Sequence, residues 1–411
     1  MHILYDFQTF ESQQFGGISR YFYELWRHAI QAGFSADIAC RYGKNAYLRE
    51  VNEFQANIRP FDDPWRVFLE RFNIPGQHQI LRGKYRVFSK KSWKTALRTK
   101  NRQAILERLN TAPPDIFHPT YYDAYFLETL KDRPFVLTVF DMIFERFPEY
   151  YPLTNHTSKH KHQLCQAAHR IIAISEQTKR DLVHIFQIAP EKIEVIYLGN
   201  SLRPLPEAPQ SLDTTHIPPK YILFTGSRKR YKNFYFFLRA IADMLHADRT
   251  LHLVCTGETL LQEEHAFVTM LGIQPGQVRH IQADDVMLAY LYQHALAFVF
   301  PSLYEGFGIP ILEAFACGCP AILSNTSSLP EIAGDAAVYF DPKEIHSIRE
   351  AVLHVITHEH VRADLIARGY ERVKLFSWED TARKTSAIYK QIIEDGREHS
   401  NSPQPPGQKG V

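Results

Sequence analysis

The chain repeatedly alternates short apolar, β-branched segments with longer stretches of helical spacing, and this alternation limits the fold more than any other feature. Such apolar segments predict buried parallel strands, and the intervening helices then cover both faces of each sheet. The candidate strands of the first half are 2–5, 36–40, 115–118, 135–139, 170–174 and 192–196. Those of the second half are 221–225, 252–255, 278–281, 296–300, 320–323 and 338–340. Two sheets of this kind predict an α/β fold with two Rossmann-like domains.

The segments between and after these halves predict the domain limits. Residues 201–219 are rich in proline and lack apolar periodicity, which indicates a linker between a first domain, 1–200, and a second domain, 220–375. Apolar residues at helical spacing predict a terminal helix over 376–395. The polar end, 396–411, has the composition of a disordered tail.

Composition places the chain among ordinary globular proteins. Its 411 residues are 45% hydrophobic and 22% charged, which is sufficient for two domains with substantial cores. No apolar run approaches the roughly 20 residues that cross a bilayer, and the amino terminus lacks signal-peptide features. Five cysteines, an odd number in apolar or helical surroundings, favour reduced thiols. The resulting expectation is a cytoplasmic location.

The most informative local segment carries two glutamates around a glycine-rich turn. It follows an apolar strand, so the turn is expected at the carboxyl edge of the sheet, where α/β folds bind ligands. Gly306 and Gly308 allow a ligand to approach the backbone closely, and the helix start that follows offers free amides to an anion. Glu305 and Glu313 can accept hydrogen bonds from hydroxyls, although each alone also fits a solvated loop or a first-turn carboxylate.

The sequence from Glu305 to Glu313, EGFGIPILE, resembles the E-x7-E signature of retaining GT-B glycosyltransferases of family 4. Residues 316–320 and 324–331 are similar to the continuation of that motif in the family. The resemblance implies two Rossmann-like domains that face each other across a cleft, with a nucleotide-sugar donor held by the second. It includes similarity to bacterial surface-polysaccharide mannosyltransferases.

The resemblance also implies roles for individual residues. Glu305 would contact the transferred sugar and Glu313 the ribose, while Lys232 and Arg228 would neutralise the leaving diphosphate. Clustered cations at a strand end suit that task, although surface basic clusters are often only solvated. The other implied donor-binding positions are Gly16 and Gly17 in the first domain, Gly226 before the cations, Ile281 in the nucleobase region 279–284, and Gly306, Phe307, Gly308, Ile309 and Pro310.

Two residues are assigned to the first-domain side of the cleft. His118 is the last residue of the predicted strand 115–118 and precedes a proline, which predicts a position where the chain enters a loop at the ligand edge of the sheet. An isolated histidine is more often packed or hydrogen-bonded than catalytic, but its match to the cleft histidine of the family implies a catalytic position. Similar enzymes often carry His-Asp after the strand 135–139. Here Phe140 replaces that histidine, which leaves Asp141 as the ionisable residue on the acceptor side.

No metal site is predicted. Asp284 and Asp285 are adjacent rather than spaced, and the resemblance implies that helix amides and cations replace a divalent ion, with no cofactor besides the donor substrate. Residues 82–102 contain nine basic residues and no acidic one, with interleaved aromatic residues. This segment fits an anionic membrane surface or a lipid-linked pyrophosphate, and equally a solvated helix or loop. Nucleic acid is not expected, since no binding motif accompanies the patch.

The sequence therefore predicts a retaining hexosyltransferase that forms an α-linkage on a glycan or lipid-linked saccharide in cell-surface polysaccharide or lipopolysaccharide synthesis. GDP-mannose is the first donor hypothesis and a UDP-hexose the second. The enzyme is expected in the cytoplasm, with peripheral binding at the inner face of the membrane as a further hypothesis. The alternatives are a sugar-nucleotide epimerase or phosphorylase of the same fold, and a noncatalytic subunit that binds a sugar nucleotide or polysaccharide.

Overall fold

A computed structural model describes residues 1–31, 34–49, 51, 59–60, 90–151, 156–228 and 230–401. Each of the twelve segments predicted as strands contains a strand, with ends that shift by at most about two residues, as is usual for such boundaries. The strands are β1 His2–Tyr5, β2 Ser35–Ile38, β3 Tyr42–Gly43, β4 Arg59–Pro60, β5 Ile116–His118, β6 Val136–Val139, β7 Arg170–Ala173, β8 Ile193–Val195, β9 Tyr221–Phe224, β10 His252–Cys255, β11 Val278–His280, β12 Ala297–Phe300, β13 Ala321–Ser324 and β14 Ala337–Phe340. The short parallel pair β3 and β4 was not predicted.

The first domain is built on parallel strands in the order β2-β1-β5 and β6-β7-β8. A parallel bridge between Phe117 and Phe135 links these two groups into one layer. The helices of this domain are α1 Gln8–Ser12, α2 Gly17–Gln31, α3 Ala46–Arg49, α4 Lys90–Thr111, α5 Leu127–Leu130, α6 Ile143–Arg146, α7 Thr157–Ala167 and α8 Glu176–Phe186. The β-strands that carry Ile3, Leu137 and Ile172 are buried because helices cover the sheet.

The second domain contains a six-stranded parallel sheet in the order β11-β10-β9-β12-β13-β14. The strand order reverses between β9 and β12, and in open α/β sheets such a reversal opens a crevice where ligands bind. The helices are α9 Phe234–Ala247, α10 Gln262–Met270, α11 Asp285–His294, α12 Ile309–Ala316, α13 Leu329–Ala333, α14 Ile345–Thr357 and α15 Glu359–Val373. The loops after β9 and β12 are therefore placed to hold a ligand.

Two segments of the chain connect the domains. The chain has no helix or strand between Val195 and Tyr221, all of which lies within the described residues. The terminal helix α16, Trp378–Asn401, packs against α2 of the first domain and continues past the predicted end at residue 395. The remaining residues of the predicted tail, 402–411, lie outside the described residues. The chain thus crosses twice between the domains.

The two domains are in close contact. A continuous apolar cluster runs from Leu4 and Val139 of the first domain to Phe307 and Ile311 of the second, while a separate cluster fills the far face of the second sheet. Such a shared cluster holds the cleft in a closed arrangement, since opening it would expose apolar surface. In the ranges that the structure describes, no helix is both long enough and apolar enough to cross a bilayer.

The basic segment is only partly within the described residues, because 82–89 lie outside them. Residues 90–102 form the first part of α4. Arg98 lies 3.8 Å from the Glu11 carboxylate, and Arg102 forms an ion pair with Asp123. Carboxylates of the first domain therefore neutralise part of the positive charge that the sequence displays. The five cysteines, all within the described residues, are buried and free.

Candidate donor-binding cleft

The glycine-rich turn between β12 and α12 has a fixed conformation. The Glu305 N–H donates to Ser327 Oγ at 2.9 Å, and Ser328 Oγ lies 3.0 Å and 2.9 Å from the carbonyl oxygens of Glu305 and Phe307. Gly308, just before the helix, has a φ of 107°, which a residue with a side chain adopts only with strain. The two serines and the glycine together set the position of Glu305.

The turn reaches the first domain at Gly306. A Cβ atom on this residue would overlap the carbonyl oxygen of Phe140 and lie 3.0 Å from Cβ of Asp141. Only glycine allows this approach without displacement of one domain. The residues after β6 in the first domain and the residue after Glu305 in the second therefore meet across the cleft.

Lys232 lies beside this turn and contacts Glu305 directly. It ends the 3-10 turn Arg230–Lys232 that follows β9, and its Nζ is 2.6 Å from Glu305 Oε1. The Nζ also lies 4.9 Å from the centre of the Phe300 ring. Only 14% and 10% of the two side chains are exposed, so their charges interact with little screening by solvent. The structure thus joins the residues proposed to hold the diphosphate and the sugar.

Arg228 occupies a different environment from the one predicted. Its guanidinium forms an ion pair with Glu264 at 2.7 Å and donates to the carbonyl oxygens of Glu258 and Thr259 at 2.6 and 2.8 Å. Both charged side chains are only 3% exposed. Nη1 is buried and has no hydrogen-bond partner among the described residues. Most of this guanidinium is committed to the fold of the second domain, which argues against the predicted role of Arg228 as a second diphosphate cation.

Two helices begin on opposite sides of the cleft and face each other. Helix α2 of the first domain begins at Gly17 and α12 of the second at Ile309, and a Cβ on Gly17 would lie 3.2 Å from Ile309 Cδ1. Neither first turn contains an acidic residue. Free amides and the helix dipole give both ends partial positive charge, so an anion between them would be stabilised from both domains. This geometry brings together Gly16, Gly17, Ile309 and Pro310 of the predicted set.

Glu313 lies one turn inside α12, and its environment includes a first-domain cation. Tyr292 donates a hydrogen bond to Glu313 Oε2 at 3.2 Å. Burial raises the pKa of Glu313 to about 7, although Arg20 and Tyr292 act in the opposite direction. Arg20 reaches from α2 to Asp285, with an N–O distance of 2.7 Å. The sequence prediction gave Arg20 no role, although its position one turn after the glycine pair was a usable signal.

The carboxyl ends of β9, β10 and β11 continue the second-domain side of the cleft. Gly226 has a φ of 97°, and a Cβ placed on it would have no neighbouring atom within 4 Å. Gly257 has a φ of 91° and lies against the Gly226 carbonyl. Ile281 donates its N–H to Cys255 O at 2.9 Å. These turns leave open space above Gly226, next to the region predicted for the nucleobase.

His118 was predicted where the chain enters a loop at the ligand edge, but its side chain is enclosed rather than open to a ligand. It is the last residue of β5 and is fully buried. Its Nδ1 lies 2.6 Å from the Tyr389 hydroxyl and its Nε2 2.9 Å from Thr138 Oγ1. Burial lowers the pKa of His118 to about 3, so the ring is neutral. With both nitrogens bonded inside the first domain, His118 has no position from which to contact a sugar, and the structure argues against its predicted catalytic role.

Asp141 lies in the cleft, where buried neighbours hold its backbone. Its Oδ1 accepts the Ile143 N–H at 3.0 Å, and Lys161 Nζ donates to its carbonyl oxygen at 2.9 Å. Lys161 also pairs with Glu145 at 2.8 Å, with both side chains almost fully buried. Burial raises the pKa values of Tyr121, Tyr151 and Tyr231, and the negative charge of Asp141 adds to each, for Tyr231 after the larger effect of Glu305. Tyrosines of both domains are therefore near enough to feel the charge of this carboxylate.

The described residues contain no group of three or more His, Cys, Asp and Glu side chains that could hold a metal ion. Within the described part of the chain, Lys232 contacts Glu305 of the donor loop, and Arg20 of the first domain reaches Asp285 of the second. Two Rossmann-like domains, a closed cleft and a sugar-nucleotide motif at the strand-order reversal define the GT-B class of glycosyltransferases.

Comparisons with known proteins agree with this class. The sequence profile of "Glycosyltransferase Family 4" matches residues 15–203, and that of "Glycosyl transferases group 1" matches residues 214–372. The chain is 30% identical over 286 residues to the O-antigen chain mannosyltransferase B of Escherichia coli. The matched region covers 67% of this chain and 74% of that protein. The chain therefore belongs to glycosyltransferase family 4.

A second relative and a solved structure extend the comparison. The chain is 28% identical over 258 residues to the Escherichia coli serotype-specific mannosyltransferase WbdA. The matched region covers 57% of this chain but only 30% of that longer protein. The structure of sucrose-phosphate synthase from Thermosynechococcus elongatus superimposes with a TM-score of 0.72 and 19% identity, and covers 96% of this chain and 99% of that one. The structural similarity supports the GT-B fold.

Proposed function

We propose that this glycosyltransferase moves a hexose, with mannose as the first choice, from a nucleotide-diphosphate sugar to a hydroxyl of a glycan or lipid-linked saccharide. The mannosyltransferase names of both Escherichia coli relatives support mannose, and the O-antigen relative supports a role in cell-surface polysaccharide or lipopolysaccharide synthesis. GDP-mannose is accordingly the first donor and a UDP-hexose the second.

The observation that carries the proposal is the convergence of two helix starts beside Lys232. The amino termini of α2 and α12 face each other without acidic residues in their first turns. The nearby lysine is paired with Glu305 at 2.6 Å. A bound diphosphate would replace Glu305 as the ion-pair partner of Lys232. Glu305 would then be able to accept hydrogen bonds from the sugar hydroxyls. One anion would thereby engage both domains.

The proposed reaction retains the anomeric configuration and forms an α-linkage. The bond between the sugar C1 and the phosphate oxygen breaks, and the acceptor oxygen bonds to C1 on the same face. The acceptor proton passes to the leaving phosphate oxygen, so no separate base is required. Lys232 and the helix amides stabilise the charge that develops on the diphosphate, which is the task that a metal ion performs in other transferases.

The acceptor would enter from the side of Asp141. A carboxylate accepts hydrogen bonds from sugar hydroxyls, and aromatic rings pack against the apolar faces of sugars. Tyr121, Tyr151 and Tyr231, whose pKa values the charge of Asp141 helps to raise, would supply such rings. The acceptor hydroxyl would then lie next to Gly306 and the donor sugar.

A turnover screen tests this function. Release of GDP or UDP is measured for a panel of sugar nucleotides, with and without lipid-linked saccharide acceptors, and the anomeric configuration of the product is assigned by NMR. The expected result is acceptor-dependent release of GDP from GDP-mannose, an α-linked product, and the same rate in the presence of EDTA. Binding of donors without turnover would favour a noncatalytic subunit, and conversion of the donor without an acceptor would favour an epimerase. Phosphate-dependent release of a sugar phosphate would favour a phosphorylase.

We also propose that the segment 82–102 brings the enzyme to the inner face of the membrane, near a lipid-linked acceptor. Its nine basic residues and interleaved aromatic residues support this hypothesis. Sedimentation with anionic and neutral vesicles, at two salt concentrations, measures the effect. Equal binding to both vesicle types would contradict it.

A further inference from the structure

Helix α8 of the first domain contacts the residues on both sides of Glu305. Ser175, immediately before the helix, places its Oγ 2.7 Å from the carbonyl oxygen of Gly306. Asp181, two turns later, accepts a hydrogen bond from the Tyr304 hydroxyl at 2.7 Å. Tyr304 and Gly306 are the direct neighbours of Glu305 in the chain. A helix of one domain therefore holds a short segment of the other at two points.

The hydroxyl of Ser175 contacts Thr178 in its own domain, through both the N–H and the Oγ1 of that residue, and Gly306 across the cleft. It accepts the Thr178 N–H at 3.1 Å, which caps the start of α8. Its own hydrogen can then be donated to Gly306, the shortest contact of this hydroxyl. Ser175 is fully buried, so water cannot replace this bond. The cap belongs to the first domain alone, whereas the bond to Gly306 exists only when the domains are closed.

Asp181 is also held in place from its own domain. It is fully buried and forms an ion pair with Arg146, and Gln177 Nε2 donates to its Oδ1 at 3.0 Å. Its other oxygen, Oδ2, is the acceptor for Tyr304. A third contact reinforces the helix start, because the Glu331 carboxylate of the second domain accepts the N–H of Glu176 at 2.7 Å. These bonds make α8 a rigid support rather than a mobile contact.

We infer that Ser175 and Asp181 are positioning residues for Glu305: through Gly306 and Tyr304 they fix the sugar-contacting carboxylate in its reactive place when the cleft closes. The inference rests on the proposed function of Glu305. The proposed ribose and nucleobase contacts lie on the second domain, and only the diphosphate would also contact the first-domain helix α2. Loss of either bond should therefore reduce the rate of transfer by a larger factor than the affinity for the nucleotide.

The test separates the two contacts of Ser175 with three variants. Ser175→Thr keeps the cap and the hydroxyl donor, Ser175→Asp keeps the cap but offers no hydrogen to Gly306, and Ser175→Ala removes both. We expect kcat close to wild type for threonine and at least about tenfold lower for aspartate, because the buried carboxylate has no hydrogen to donate to the Gly306 carbonyl oxygen and is repelled by it. Affinity for GDP or UDP, measured by thermal shift, should stay within about twofold in both. Tyr304→Phe should lower kcat by a similar factor.

Small-angle X-ray scattering of the double variant Ser175→Asp/Tyr304→Phe gives a readout that needs no turnover. A larger radius of gyration than that of wild type is expected, since the contacts across the cleft are weakened. The inference is overturned if the double variant scatters like wild type, or if kcat of Ser175→Asp equals that of Ser175→Thr. It is also overturned if nucleotide affinity falls as much as kcat. Absence of turnover in wild type would contradict the proposed function instead, and the scattering result would still decide the inference.

Discussion

The two sides of the cleft differ in how their functional groups are assembled. On the second-domain side, Lys232, Glu305 and Glu313 lie in turns and a helix start directly after β9 and β12. On the first-domain side, Arg20, Asp141 and Ser175 come from three distant parts of the chain, while the histidine predicted to act there is buried. The donor side is thus a local motif, whereas the opposite side is formed only by packing.

The same contrast separates two cations that are close in sequence. Lys232 is paired with Glu305 in the cleft, and Arg228 is paired with Glu264 inside the second domain. A pattern of charges near a strand end does not distinguish these environments. After the turn at Gly226, the side chain of Arg228 lies inside the second domain and that of Lys232 lies in the cleft. This difference can be tested by substitution of each residue.

The largest effect is expected for Lys232→Met. Removal of the cation that faces the leaving diphosphate should lower kcat/KM by about 10²–10³-fold, as for other groups that stabilise developing charge. Steady-state release of nucleotide from the preferred donor measures the loss. Thermal stability should fall less than in Arg228→Met, because the Lys232–Glu305 side chains are 14% and 10% exposed, whereas those of Arg228 and Glu264 are only 3% exposed.

Arg228→Met is the matched variant for this comparison. It leaves Glu264 buried without its partner, so we expect a loss of stability of about 3–5 kcal/mol and a lower yield of folded protein. If Arg228→Met remained as stable as wild type but lost turnover to the same extent as Lys232→Met, Arg228 would act on the diphosphate after all.

Gly306→Ala tests the contact between the two sides. The new methyl group would overlap the Phe140 carbonyl, so the domains or the loop must shift and Glu305 moves with them. A displacement of this size should lower kcat/KM by about 100-fold. Gly396→Ala is the control, because Gly396 lies in α16 without a positive φ and a Cβ placed on it would have no neighbouring atom within 4 Å. An effect at Gly306 no larger than that at Gly396 would contradict the closed arrangement.

His118→Leu should affect stability rather than catalysis. The substitution removes one buried hydrogen bond from the Tyr389 hydroxyl and one from Thr138, which keep their contacts with Tyr5 and Tyr21. This loss should cost about 2–3 kcal/mol in the free energy of unfolding. We expect kcat of the folded variant within about threefold of wild type. Chemical denaturation and turnover measured on the same preparation separate the two quantities. A stable variant without activity would restore the catalytic role.

The pKa of His118 adds a pH dependence to that prediction. Its pKa is about 3 in the folded chain and 6.5 ordinarily, so the unfolded state binds more protons in this interval. The contribution of His118 to stability is therefore complete above pH 6.5 and is lost progressively as the pH falls toward 3. The loss of stability on acidification should be less steep in His118→Leu.

The smallest effect concerns Glu313. Its pKa of about 7 means that much of the carboxyl is protonated at pH 6, and a protonated carboxyl is a poorer acceptor for ribose hydroxyls. Donor affinity should thus rise by up to about tenfold from pH 6 to pH 8. Isothermal titration calorimetry with the donor or its nucleotide measures this change in affinity. In Glu313→Gln the dependence should disappear, and its persistence would assign it to other groups.

Sequence reasoning worked best where a functional group lies next to the element that positions it. The alternation of strands and helices predicted all twelve strands of the two main sheets, since burial on both faces leaves a local apolar signature. It missed the β3 and β4 pair, which is two residues long in each strand and has no such signature. It also missed Ser175 and Tyr304, whose contacts join residues far apart in the chain.

The sequence by itself determined the two-domain α/β architecture, the family and the donor motif, because periodicity, glycine turns and the E-x7-E spacing are local properties. Only the tertiary structure decided which ionisable residues face the cleft. His118 and Arg228 lie near strand ends like Asp141 and Lys232, yet they are enclosed by side chains from α16 and α10. Burial depends on these distant elements, and it therefore separates structural from functional charges in a way that no local pattern can.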